Sequence, residues 1–185
     1  MCIRDSSKAF KTKNFVKVSN IQNKSLQLSL MLSMPASLGI IIASEEIVNG
    51  LFGYGSFTKE DVELTSHALK FFGYGIVAFA IVKILANFFF ARDNTKTPFY
   101  ISSFIVFLNL VVSVAFFKEV GFLIIPISTS FTTWVGVIIF LYILLNKNFL
   151  TLQKKLLYNF LKIIISSTIM SVILVIALDK YSSCL

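Results

Sequence analysis

One lysine, Lys83, stands inside an otherwise uncharged apolar run from Phe71 to Ala91. A cation within the hydrocarbon of a bilayer costs at least about 2.5 kcal/mol, so such a residue is expected to face a polar cavity or an anionic partner. That makes Lys83 a candidate ligand for a negatively charged headgroup, or a coupling site. The simpler alternative is that its long stem carries the ammonium toward the helix end about two turns away. Just beyond the run, Arg92, Asp93 and Lys96 form a compact charged loop, either part of the same site or a solvated turn that anchors topology. Asn109 lies in the middle of the next apolar run, where it can line a cavity or bond a neighbouring helix for about 1 kcal/mol. Ser128, Thr129, Ser130, Thr132 and Thr133 could line a pathway, although small hydroxyl residues more often mark close helix packing. Glu45 and Glu46 are paired acids at an outer helix end that could bind a cation or proton, although such pairs are more often simply solvated, and His67 is given no role. No Gly-rich phosphate loop, His-rich metal helix or nucleophile–base pair accompanies these groups. The chemistry expected is therefore binding and passage, not catalysis, and no cofactor is implied.

The elements that must hold these residues follow from hydropathy. The chain has 185 residues, 56% of them hydrophobic and 14% charged, against about 25% charged in a soluble domain. Its mean hydropathy is +0.83. The apolar residues fall in long uncharged runs, the mark of membrane helices. Five spans are expected, at about 25–44, 71–91, 98–117, 122–145 and 161–178, giving an all-α polytopic membrane helix bundle. Residues 1–24 read as a basic cytoplasmic tail and 179–185 as a short periplasmic end. The opening residues 1–6 do not lead smoothly into the rest of that tail; they read as an assembly artefact and are set aside.

Prolines and glycines punctuate the runs. Pro35 sits mid-span and should kink its helix. Gly53 and Gly55, among aromatics after a short apolar piece at 47–52, read as an interfacial turn. Thr58 is a good helix N-cap, with Glu60 and Asp61 in the first turn. Pro98 suits the first turn of the helix after the charged loop, and Pro126 lies within the fourth span.

The net charge of +8 suggests nucleic acid in a soluble protein. No basic helix or RNA-binding motif supports that here, so nucleic acid is not an expected partner. The charge is explained by loop bias. With the N-terminal tail inside, twelve Lys and Arg fall on the cytoplasmic side and four on the other, Lys83 being the last of the seventeen. Seven of the nine acids lie outside. This positive-inside pattern predicts a cytoplasmic N-terminus and a C-terminal end on the opposite side. Cys2 and Cys184 lie at opposite ends and support neither a disulfide framework nor a zinc site.

Two segments are more specific than hydropathy. Leu51-Phe52-Gly53-Tyr54-Gly55-Ser56-Phe57-Thr58 resembles a turn of the MurJ (MviN) family of bacterial lipid II flippases. Val82-Lys83-Ile84-Leu85, then Phe89-Phe90-Ala91-Arg92-Asp93, then Lys96-Thr97-Pro98 resemble a second motif of that family in order and spacing. Met34-Pro35-Ala36 is similar to the start of the preceding helix. The resemblance extends over about residues 20–178, the last two spans matching only in pattern. It implies a fourteen-helix exporter fold of the multidrug/oligosaccharidyl-lipid/polysaccharide superfamily. Two six-helix lobes would enclose a cavity, and two further helices would form a groove for a lipid tail.

On that resemblance the chain corresponds to the ninth through thirteenth helices and is an incomplete piece. The family's essential cavity arginines fall mostly outside it. The implied activity is alternating-access movement of a lipid-linked peptidoglycan precursor across the bacterial cytoplasmic membrane. Its partners would be that lipid, the membrane lipids and the remaining helices. Lys83, Arg92, Asp93, Lys96 and Pro98 fall on the motif. Rival readings are a related exporter of lipid-linked polysaccharide or drugs, or a structural subunit of a larger membrane complex.

Overall fold

A computed structural model of the chain describes residues 15–55, 57–147 and 154–182. These form α1 (Phe15–Ile42), α2 (Ser44–Phe52), α3 (Lys59–Phe90), α4 (Lys96–Val120), a 3-10 turn at Gly121–Leu123, α5 (Ile124–Asn146) and α6 (Lys154–Ser182). There is no strand among the described residues. The opening residues 1–6, the tail up to residue 14, the basic loop at 148–153 and the end from 183 lie outside them.

Among the described residues, four stretches are long and apolar enough to cross a membrane: Asn20–Ile42, Lys59–Phe90, Lys96–Asn146 and Tyr158–Lys180. The third holds 51 residues, more than twice the roughly 20 that a hydrocarbon core requires. It folds as two helices. Gly121 takes a φ of +67°, a conformation that glycine adopts without steric cost, and α4 and α5 pack against each other on either side of it. Five long apolar helices result, the all-α membrane bundle expected from the uncharged runs.

The helices outrun the apolar segments at defined ends. Helix α1 begins at Phe15, ahead of the apolar run from Ser25, and buries Gln22 and Asn23. Helix α3 has 32 residues, about 48 Å at 1.5 Å per residue against a core of about 30 Å, so its charged first turns extend past the apolar part. Thr58 caps it. The Thr58 hydroxyl accepts from the Asp61 backbone N–H at 3.2 Å, and the Asp61 carboxylate accepts from the Thr58 N–H at 2.9 Å. This reciprocal box satisfies two donors at the helix start. Helix α2 packs along this protruding portion.

Prolines sit where their missing N–H is harmless or where a kink is tolerated. Pro98 and Pro126 are each the third residue of their helices, α4 and α5, where no intrahelical acceptor exists for an N–H. Pro35 lies inside α1, where it removes the donor to the Met31 carbonyl.

The long helices pack in the order α6, α1, α3, α5, α4, so that α3 is held between α1 and α5. Glycines permit the approach. A Cβ on Gly73 would come within 2.7 Å of the Ile41 side chain of α1, and one on Gly75 within 2.7 Å of Ser130 Oγ and 3.3 Å of its Cα on α5. Three side-chain donors then reach carbonyls of the same turn of α3. Ser37 donates to the Gly73 oxygen at 2.8 Å, Ser130 to Phe71 at 2.6 Å and Trp134 Nε1 to Tyr74 at 3.1 Å. Further along, Leu85, Phe88 and Phe89 of α3 pack with Phe140 and Leu144 of α5, Leu26 of α1 and Ile101 of α4.

Gly75→Val places a branched side chain against a serine whose hydroxyl is already committed to Phe71. We expect it to destabilise the bundle by about 1–3 kcal/mol, the usual cost of overpacking, read by SDS-titration unfolding in mixed micelles. Unchanged unfolding would show that the α3–α5 approach does not limit stability.

Candidate functional site

Lys83 lies on the side of α3 turned away from α1 and α5. It shares an exposed stripe with Phe72, Phe79 and Phe90, while Val77, Ala78, Leu85 and Phe89 face inward and are buried. The stripe follows the three- and four-residue spacing of one helix face. The sequence expected a polar cavity around Lys83. Among the described residues Lys83 is exposed.

The charged loop after α3 forms the end of that helix. Asp93 takes a φ of 55°, a left-handed conformation that aspartate tolerates better than most residues. The Asn94 N–H bonds the Phe89 carbonyl at 3.2 Å and the Asp93 N–H bonds Phe90 at 3.1 Å. This is a Schellman stop with aspartate in the place glycine usually takes. The Ala91 N–H satisfies the Asn87 carbonyl at 3.0 Å, and Arg92 Nη1 donates to Phe88 at 2.8 Å. Four successive carbonyls that the helix end would leave open thus find partners. Partial burial pushes the Arg92 guanidinium down from its ordinary value; that value is so high that the group stays charged. Asn94 Oδ1 accepts from the Thr97 N–H at 3.2 Å and starts α4. Asp93 and Lys96 project into the open, and Pro98 is buried.

Arg92 lies nine residues beyond Lys83, about 13 Å along the helix axis. The structure therefore separates the two halves of the motif: Lys83 on an open helix face, and Arg92, Asp93 and Lys96 around a helix stop.

Asn109 belongs to neither. Its Nδ2 donates to Thr129 Oγ1 at 3.1 Å, and its Oδ1 lies 3.0 Å from both the Ser113 and Ser128 hydroxyls. Those two hydroxyls are 2.6 Å apart. The cluster ties α4 to α5. Thr132 and Thr133 turn their hydroxyls to carbonyls of their own helix, Ser128 at 2.8 Å and Thr129 at 2.6 Å. The hydroxyl-rich stretch is packing, the simpler of its two readings, and Asn109 is not brought to Lys83.

Several contributors were not singled out from the sequence. Gly73, Gly75, Ser37 and Trp134 fix the position of α3, and hence of Lys83. The Gly-x-Gly spacing was the available signal. A polar cavity of about 510 Å³ also lies between α2 and the protruding start of α3, lined in part by Glu45, Lys59, Glu63, His67 and Lys70. His67 Nε2 is 3.9 Å from Glu63 there, both side chains well exposed.

The fold and these positions define a polytopic helical membrane protein with a cation on an open helix face. The sequence model of the Lipid II flippase MurJ family matches residues 5–183, so the chain belongs to that family. It is 32% identical over 177 residues to a probable lipid II flippase MurJ of Rickettsia prowazekii (strain Madrid E), covering 96% of this chain and 34% of that protein. A homonymous protein of Rhizobium meliloti (strain 1021) is 28% identical over 94% of this chain and 32% of its own length. One from Buchnera aphidicola subsp. Acyrthosiphon pisum is 31% identical over 85% and 31%. A solved structure, lipid II flippase MurJ in an inward closed conformation, superposes with a TM-score of 0.78 at 26% identity, over 95% of this chain and 36% of that one. The chain thus spans about a third of the length of the relatives it matches.

The reading of Asp93 as a helix stop is checked by two substitutions. Asp93→Gly should be neutral or slightly stabilising. Asp93→Val should cost about 1–2 kcal/mol, because a β-branched residue resists the left-handed conformation. SDS-titration unfolding distinguishes this from a binding role, in which both changes would leave stability alone and reduce transport.

Proposed function

We propose that this chain forms part of the C-terminal lobe of a flippase. The flippase carries a lipid-linked peptidoglycan precursor across the bacterial cytoplasmic membrane by alternating access, without covalent chemistry. The observation that carries the reading is the position of Lys83. It lies on a motif shared with a flippase family and on the one long face of α3 that neither α1 nor α5 covers. A cation so placed needs a polar surrounding, and helices beyond this chain would complete it. The pyrophosphate of a lipid-linked sugar supplies the matching charge. The headgroup would move past this face while the polyprenyl tail stays in lipid. Arg92, Asp93 and Lys96 serve the reading at one remove: they fix where α3 stops and α4 begins at the end of the cavity wall.

The same reading assigns a cytoplasmic N-terminus. The α3–α4 loop then faces the cytoplasm, and the Gly53–Gly55 turn and the C-terminal end of α6 face the opposite side. The bias of basic residues supports this, as does the charged, protruding start of α3 with its cluster of acids.

Two experiments test the proposal. In the full-length parent, Lys83→Ala should fail to restore growth to a flippase-depleted strain at normal expression, while Lys83→Arg retains part of the function. Full growth of the alanine variant would remove Lys83 from the transport path. For topology, single cysteines at Tyr54 and Asn94 are introduced with Cys2 and Cys184 replaced by serine. An impermeant thiol reagent should label position 54 in intact cells and position 94 only after the membrane is opened. The reverse pattern would overturn the orientation.

A further inference from the structure

Lys83 does not stand alone on the uncovered side of α3. Phe72, Phe79 and Phe90 are exposed with it. At 3.6 residues per turn all four side chains leave the helix within about 40° of one another. Whatever surrounds the ammonium therefore surrounds the rings as well. A face that met only lipid would leave the charge of Lys83 unmatched. One that met only water would leave Phe79 uncovered, with 46% of its surface open. The occupant that suits both is an anion joined directly to a group with an apolar face.

The spacing along α3 says which ring takes part. Phe79 is one turn from Lys83, about 6 Å along the axis, so the two side chains are neighbours. Phe90 is about 11 Å away and Phe72 about 17 Å. In a sugar pyrophosphate the sugar follows the phosphate through a single oxygen, so only the ring one turn away is within its reach. A pyranose presents C–H groups on one face, and these meet the negative face of an aromatic ring. The placement of Phe79 is fixed from behind: Ala78 beside it is fully buried, and Val82 packs against the cluster around Phe89 and Phe140.

We infer that Phe79 is the platform for the first sugar of the lipid-linked pyrophosphate, its ring stacked on the C–H face of that sugar while Lys83 holds the phosphates. The inference rests on the reading of Lys83 given above and adds to it a residue that selects. Lys83 attracts any pyrophosphate, with or without a sugar. Phe79 favours the lipid that bears one.

The test measures binding to the purified full-length parent with two probes, a short-chain prenyl pyrophosphate and the same lipid bearing one N-acetylated hexosamine. The wild type should bind the sugar-bearing probe about three- to tenfold more tightly, the range of an aromatic stacking contact. Phe79→Leu keeps apolar bulk without the ring. It should erase that preference and leave the affinity for the bare probe unchanged, which also shows that the variant is folded. Phe79→Trp should keep the preference. Lys83→Gln should weaken both probes by the same factor. A nucleotide-linked sugar with the same pyrophosphate should compete weakly, for want of a chain. Retention of the sugar preference by Phe79→Leu, or its absence from the wild type, would overturn the platform and leave the reading of Lys83 standing. Unchanged binding of both probes by Lys83→Gln would remove that reading, and the inference with it. Equal competition by the nucleotide sugar would overturn the lipid-linked source.

Discussion

Everything in this chain depends on how closely α3 can be approached from two sides. In lipid there is no hydrophobic drive to bring helices together, since the tails are as apolar as leucine. What remains is packing and hydrogen bonding. Gly73 turns a bare backbone toward α1 and Gly75 turns one toward α5, and the space so gained brings Ser37, Ser130 and Trp134 within reach of main-chain carbonyls. Carbonyls already bonded within the helix each accept a second donor through their remaining lone pair. The aromatic and aliphatic cluster around Phe89 and Phe140, whose rings lie 5.9 Å apart, holds the other end. Helix α3 is thereby fixed in rotation as well as position, and its rotation decides which side chains remain uncovered.

The sequence disclosed the elements more readily than their mutual arrangement. Uncharged runs of twenty or so residues admit few structures in a bilayer, because every backbone group must be satisfied within the segment. Thr58 with Asp61 three residues on is a local signal, and the capping box forms between them. Gly121 was readable as a turn because Lys118 and Glu119 interrupt the apolar run beside it. The helix start at Phe15 was less legible, because a helix continues past the hydrocarbon wherever packing supports it, and hydropathy is silent there. Asn109 was ambiguous for a related reason. An amide inside a span needs partners, but the sequence does not say whether they are on another helix or in a cavity. The structure supplies Ser113, Ser128 and Thr129, which lie on the faces that α4 and α5 turn to each other.

The motif that carries the family resemblance mixes two kinds of residue, and satisfaction of polar groups separates them. Arg92 and Asp93 are engaged in ending a helix: one donates its guanidinium to an otherwise open carbonyl, and the other supplies the left-handed turn. Their chemistry is used locally, in the stop that ends α3. Asn109 is engaged in the same sense. Lys83 is not on this footing. It occupies a helix face flanked by Phe79 and Phe90, where a leucine would pack in lipid at no electrostatic cost, and nothing about the fold of these five helices calls for a charge there. A charge that burdens the membrane-embedded state is offset only by a polar or anionic partner, or by reaching the interface. On the function proposed above, the cation that α3 leaves uncovered is where this bundle would meet the headgroup, and the loop charges next to it in sequence set where that cation's helix ends.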